Sequence, residues 1–136
     1  MIGNEVITID GLVGSGKSTT ARLLAQRLGF RHLDTGAMYR VVALAASQDH
    51  ILPNHEGKLK KLLEDLDIEL LSCSESGKVI LNGEDVSEAI RRPEISRIVG
   101  SFADQLVVRN FLVERQRGMG KFGGTVADGR DMASVV

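Results

Sequence analysis

Gly11-Leu12-Val13-Gly14-Ser15-Gly16-Lys17-Ser18 decides the fold. The stretch matches G-x-x-x-x-G-K-[ST], a pattern whose chemistry is phosphate binding. Glycines let main-chain N–H groups converge on phosphate oxygens without Cβ clashes, and a helix starting where the loop ends adds the positive end of its dipole. Lys17 then reaches the β- and γ-phosphates of a nucleoside triphosphate, and the Ser18 hydroxyl ligates Mg²⁺. The pattern carries this meaning only between a strand and a helix.

Both flanks are present. Residues 5–10 (E-V-I-T-I-D) are rich in β-branched side chains and nearly continuous in apolar character, which suits a strand of a parallel sheet covered on both faces. Residues 17–28 read as a helix, with Ala21, Leu24, Ala25 and Leu28 on one apolar stripe and Gly29 at the C-cap position. Residues 30–33 form a second short strand ending at Asp34, and residues 35–47 a second helix with Asp34 or Thr35 as its N-cap. Strand, glycine loop, helix, strand, helix is an α/β signature. The expected fold is a P-loop NTPase-type parallel sheet flanked by helices.

Pro53 and Asn54 interrupt this pattern. Leu59, Leu62, Leu63 and Leu66 make a short amphipathic helix with Lys58, Lys60 and Lys61 facing solvent. Residues 68–71 and 79–81 are apolar runs, and Asn82-Gly83 is the strongest hairpin signal in the chain. A small antiparallel insertion is therefore expected at 53–92, with 1–52 and 93–136 forming the core. Charge follows the same division: residues 56–88 are mainly acidic, whereas 91–130 carry seven arginines and Lys121. Pro93 opens a new helical region in which Ile95, Ile98, Val99, Phe102 and Leu106 keep helical spacing. Ser101 with Asp104 is expected to cap a second segment running to about Arg117, and residues 125–128 (T-V-A-D) are expected to form a third core strand.

Composition excludes several classes. With 43% hydrophobic and 26% charged residues over 136 positions, the chain can form a cooperative core and is no disordered tail. Seventeen Lys and Arg against eighteen Asp and Glu leave a net charge of -1, which gives no global attraction to nucleic acid or anionic lipid. Aromatics at 4%, with no Trp, argue against a base-stacking platform. The single Cys73 forms no internal disulfide, so a reducing compartment is expected, and its role is packing. No basic stretch leads into a long apolar run at the start, and the longest apolar run, residues 41–46, is far too short to span a bilayer. The expectation is a cytoplasmic protein with neither membrane nor nucleic-acid partners. His32, His50 and His55 show no ligand spacing and are assigned no metal.

A phosphate loop alone does not separate a kinase from a switch protein. A GTPase normally adds N-K-x-D for guanine, and no Asn here is followed by Lys. Three further constellations narrow the reading: Leu33-Asp34-Thr35-Gly36-Ala37-Met38-Tyr39-Arg40, then Val108-Arg109 with Gln116-Arg117, then Ala127-Asp128-Gly129-Arg130-Asp131. Together with Pro93-Glu94-Ile95-Ser96-Arg97 at a helix start, they occur in the order and at the separations of the bacterial cytidylate (CMP/dCMP) kinases. The chain resembles that family, within the nucleoside monophosphate kinase group, over essentially its whole length.

The resemblance implies phosphoryl transfer from ATP, with Mg²⁺, to CMP or dCMP, giving CDP or dCDP in pyrimidine nucleotide metabolism. It implies that Gly11, Leu12, Val13, Gly14, Ser15, Gly16, Lys17, Ser18 and Thr19 bind ATP, and that the insertion belongs to the acceptor-binding part. Arg40, Arg109 and Arg130 would hold the acceptor, chiefly its α-phosphate. Asp131 would recognise the cytosine or its sugar, and Thr35, Tyr39 and Ser101 would supply further contacts. Lys17, Arg130 and Asp128 would be the catalytic groups, with Asp128 orienting through water the Mg²⁺ that Ser18 ligates. A monomer is expected on the same ground. Read without the resemblance, Arg40, Arg109 and Arg117 are ordinary surface charges, Arg91 and Arg92 are solvated, and Thr35 and Tyr39 serve capping and packing.

The chain also departs from the family. Gly100 stands where the family has a Ser near the cytosine, and Ser101 is displaced by one position, a rotation of about 100° on a helix. Ala133-Ser134 replace Gly-Thr. Family members continue past the equivalent of Val136 with two more core strands, terminal helices and an arginine-bearing lid, so the chain is C-terminally short relative to them. An incomplete sheet is expected, with residues 5–10 as an apolar edge. The expected function is a cytidylate kinase, catalytic as it stands or completed by a segment absent from the chain. The alternatives are a non-catalytic nucleotide-binding remnant and a P-loop kinase for another small molecule.

Overall fold

The computed structural model describes residues 6–10, 17–71, 78–120 and 123–129. The elements run β1 (Val6–Asp10), α1 (Lys17–Leu28), β2 (Arg31–Asp34), α2 (Thr35–Gln48), α3 (Glu56–Glu64), β3 (Ile68–Leu71), β4 (Lys78–Leu81), β5 (Glu84–Asp85), a 3-10 turn (Ala89–Arg91), α4 (Pro93–Ala103), α5 (Leu106–Gly120) and β6 (Thr125–Gly129). They fall into two compact units, Met1–Gly36 with Val113–Val136, and Ala37–Leu112. The insertion expected at 53–92 lies inside the second.

In the first unit, three strands form a parallel sheet of order β1-β6-β2. β6 pairs on both sides, from Val6↔Thr125 to Asp10↔Gly129 and from Arg31↔Thr125 to Asp34↔Asp128. All five of its residues are buried, as expected of a strand with neighbours on both edges and cover on both faces. Among the described residues β1 has only this one strand neighbour, and its Val6 is 49% exposed.

α1 packs on this sheet through small residues. Ala21 and Ala25 are buried together with Val126, and Ile7, Ile9, Leu24 and Phe30 pack around them. Alanines let the helix axis approach the sheet closely. The stripe expected from the sequence is one residue shorter in fact, because Leu28, at the helix end, is 37% exposed. Gly29, with φ of 69°, closes the helix: its N–H donates to Gln26 O (3.3 Å) and the Phe30 N–H donates to Ala25 O (2.8 Å). That pair of bonds is the Schellman motif, which needs a left-handed residue at this position.

The second unit takes α2 from Ala37 onward, and its apolar stretch from Val41 through Ala46 is buried at every position. A second Schellman pair follows it, with His50 N–H on Ser47 O and Ile51 N–H on Ala46 O, and His50 takes a φ of 55°. α3 buries Leu59 and Leu63 and exposes Lys58, Lys60 and Lys61. β3, β4 and β5 form an antiparallel sheet, with β3–β4 register from Ile68↔Leu81 to Leu71↔Lys78. Asn82 and Gly83, with φ of 49° and 86°, make the tight turn from β4 to β5 that their sequence demands. Asn82 also exchanges two bonds with Asp67: its N–H donates to Asp67 O, and its Oδ1 accepts from the Asp67 N–H.

The helix boundary expected at Ser101 lies elsewhere. α4 continues through Ser101, which is exposed, to Ala103, because Phe102 extends the buried stripe begun by Ile95. The carbonyl of Gln105 then accepts the N–H groups of Val108 and Arg109, so Gln105 is the residue from which α5, beginning at Leu106, departs. Among the described residues, no helix is long and apolar enough to cross a membrane.

Gly29 provides a test of the helix end. A Cβ there would meet nothing within 4 Å, so substitution strains only the backbone. Gly29→Ala is expected to lower the unfolding free energy by about 1 kcal/mol, as urea denaturation would show. An unchanged or raised midpoint would count against the Schellman assignment.

Candidate functional site

In open parallel sheets, ligands gather at the carboxyl ends of the strands. Here β1 ends at Asp10 and β2 at Asp34, and α1 begins at Lys17. The β2–β6 register sets Asp34 opposite Asp128. Residues two apart on a strand share a face, so His32, opposite Val126, lies diagonally across from Asp128. Its Nε2 is 2.5 Å from Asp128 Oδ1, with the two side chains 13% and 2% exposed. A carboxylate this deeply buried requires a polar partner, and His32 supplies one. Thr35, buried at the first position of α2, donates its hydroxyl to the Asp128 carbonyl at 2.8 Å. Asp128 is thereby held through both its side chain and its main chain.

Within the second unit, α2 presents Tyr39 and Arg40. Arg40 Nη1 donates to Ile90 O (3.2 Å) and to Ser96 Oγ (2.9 Å). Tyr39 hydrogen-bonds Arg109 of α5, and its ionisation is pushed up from the usual tyrosine range. Burial of the phenol is the main cause, and the charge and hydrogen bond of Arg109 pull the other way without cancelling it. Arg109 and Ser101 are both exposed, on α5 and α4 respectively.

The remaining expected residues are placed less fully. Gly11, Leu12, Val13, Gly14, Ser15, Gly16, Arg130 and Asp131 lie outside the described residues, and Lys17 and Ser18 are located by their backbone as the first residues of α1. Thr19 is exposed in the first turn of that helix. Sequence reasoning passed over His32 and Ser96. His32 shows no ligand spacing, and its partner is 96 residues away, so only the strand register could have revealed it. Ser96 stands inside a quoted motif, but its partner Arg40 is 56 positions distant.

Comparison with known proteins agrees with the motif order. Residues 7–136 match the family model described as Cytidylate kinase. The chain is 46% identical over 131 residues to a cytidylate kinase of Geobacter sulfurreducens, covering 96% of this chain and 56% of the relative. It is 48% identical to that of Syntrophotalea carbinolica, with the same 96% and 56% coverage. To that of Bacillus subtilis it is 45% identical over 130 residues, covering 96% of this chain and 58% of the relative. The chain therefore spans a little over half the length of these curated relatives.

Two measurements test this geometry. A double-mutant cycle of His32→Ala and Asp128→Ala is expected to give a coupling of about 1 kcal/mol or more in urea denaturation. Additivity within about 0.3 kcal/mol would mean that the two groups do not interact. Tyr39 is the only tyrosine in the chain, so ultraviolet absorbance reports it alone. Its ionisation is expected above the unfolded value of about 10, and higher still in Arg109→Ala, where the opposing charge is removed. Because the folded state resists losing this proton, stability should fall as pH rises past about 10. A titration at or below the unfolded value would contradict the burial.

Proposed function

The chain belongs to the cytidylate kinase family, and we propose that it transfers the γ-phosphoryl group of ATP to CMP or dCMP. The observation that carries this reading is the strand-end arrangement of the parallel sheet: β1 leads through the glycine-rich stretch into α1 at Lys17, while Asp128 is buried at the end of the neighbouring β6. That order puts a phosphate-loop sequence and an acid on adjacent strand ends.

The chemistry asks little covalent work of the protein. An oxygen of the acceptor α-phosphate attacks the γ-phosphorus, a new O–P bond forms, and the bond to the β,γ-bridging oxygen breaks, releasing ADP. The attacking oxygen is already anionic, so no strong general base is required. Catalysis is positioning and charge neutralisation. In this reading residues 11–16 cradle the donor phosphates by main-chain amides, Lys17 contacts the β- and γ-phosphates, and Thr19 lies beside them. Arg40, Arg109 and Arg130 hold the acceptor phosphate, as guanidinium forks match phosphate oxygens in pairs. Asp131 recognises the cytosine or its sugar, with Tyr39 and Ser101 contributing from α2 and α4. Thr35 acts at one remove, since its hydroxyl is engaged by the Asp128 carbonyl.

Mg²⁺ suits the donor set. It prefers hard oxygen ligands and is commonly held by one or two carboxylates together with substrate phosphates. The buried carboxylate of Asp128 meets that description, with the Ser18 hydroxyl as the direct ligand and Asp128 acting through water. When bound, the ion neutralises charge on the transferring phosphates. The segment at 53–92, with its antiparallel sheet, is the acceptor-binding module, and the working protein is a monomer in the cytoplasm.

The test is a coupled assay with ATP and CMP, dCMP, UMP or AMP as acceptor. CMP or dCMP should give the highest kcat/KM, and Lys17→Ala should lower kcat on the order of 10²-fold. Faster phosphorylation of UMP or AMP would overturn the acceptor assignment and favour a P-loop kinase for another small molecule.

A further inference from the structure

Among the described residues, Arg40 is held through Nη1. Nη1 has two hydrogens, and the bonds to Ile90 O (3.2 Å) and Ser96 Oγ (2.9 Å) use both. Among the described residues, neither Nε nor Nη2 makes a hydrogen bond or ion pair. Both anchors sit on regular backbone. Ile90 is 1% exposed, and its N–H donates to Val86 O, so the carbonyl belongs to a turn held from below. Ser96 lies in the first turns of α4, whose start is fixed by Pro93. One turn further along the same face, Gly100 is exposed, and a Cβ there would meet nothing within 4 Å. The helix surface next to Ser96 is therefore open.

From this geometry we infer that Ser96 is a positioning residue for Arg40, holding the guanidinium so that its Nε–Nη2 edge is presented as a preformed fork for the phosphate of the acceptor nucleotide. The inference rests on the kinase reading above and adds a residue to it. A free arginine loses much rotamer freedom when it clamps a phosphate. Anchoring at Nη1 meets that loss before the ligand arrives, which is how preorganisation raises affinity. The second edge of the fork can donate two parallel N–H···O bonds to a phosphate, which a lysine ammonium cannot do. Ser96 need not touch the nucleotide. Its effect passes through Arg40.

The experiment is calorimetric titration of the full chain with CMP, and separately with ATP, for wild type, Ser96→Ala, Ser96→Thr, Arg40→Ala and the double variant Arg40→Ala/Ser96→Ala, with thermal midpoints recorded for each. Ser96→Ala is expected to weaken CMP binding about tenfold (~1.4 kcal/mol) while ATP affinity and the midpoint stay near wild type. Ser96→Thr, which keeps the hydroxyl, is expected to restore CMP affinity. In the Arg40→Ala background, removing the serine hydroxyl should change nothing further. The inference is overturned if wild type binds CMP and Ser96→Ala binds it equally well, or if Ser96→Ala costs the same with and without Arg40. A wild-type chain that binds ATP but no CMP overturns the acceptor reading itself, and the inference with it.

Discussion

The strand β6 is the constraint on which the first unit depends. It is five residues long, buried at every position, and paired in parallel on both sides. Main-chain N–H and C=O groups in such a place have no water to fall back on, so both ladders must be complete. The register is correspondingly strict, because a slip of one residue would turn each side chain to the opposite face. That register places Asp128 beside Asp34 and lets His32 reach diagonally to it. The chemistry at the strand ends is thus a consequence of backbone pairing upstream.

Asp128 also shows how a buried charge is tolerated. A carboxylate removed from water is costly unless hydrogen bonds replace its hydration. His32 contributes one contact to the side chain, and Thr35 fixes the carbonyl of the same residue. Replacing either by an apolar residue of similar size would remove one polar contact from Asp128. Gln116 offers a contrast in the same unit: its Nε2 is buried with no hydrogen-bond partner among the described residues.

Much of the fold could be read from local pattern, and the reasons are physical. β1, α1, β2 and β6 each carry a period or a continuous apolar run, and Gly29 and Asn82-Gly83 occupy positions where φ is positive. These are short-range properties, fully written in neighbouring residues. The break between α4 and α5 is not of that kind. Ser101 and Asp104 make a plausible cap by composition, but burial of Phe102 carries α4 past Ser101, and the next helix starts from a Gln105 carbonyl. Tertiary packing outweighed a capping preference worth about 1 kcal/mol. The candidate site divides in the same way. The glycine-rich and arginine motifs are local strings, whereas the His32–Asp128 and Arg40–Ser96 contacts join residues 96 and 56 positions apart.

Those two contacts share a logic that bears on the phosphoryl transfer we propose. Where the chemical step needs little beyond fixed charges, rate and affinity depend on how well each charge is held before the substrate arrives. An exposed arginine or a lone acid can satisfy a motif and still be poorly directed. Arg40 is held by a main-chain carbonyl and a helix hydroxyl, both neutral, so its positive charge is left for an anion. Had an acidic side chain taken the place of Ser96, the guanidinium would be held as firmly but largely neutralised, and a phosphate would have to compete with it. A neutral anchor resolves that conflict, which is why a serine is the better residue there than a stronger-binding aspartate.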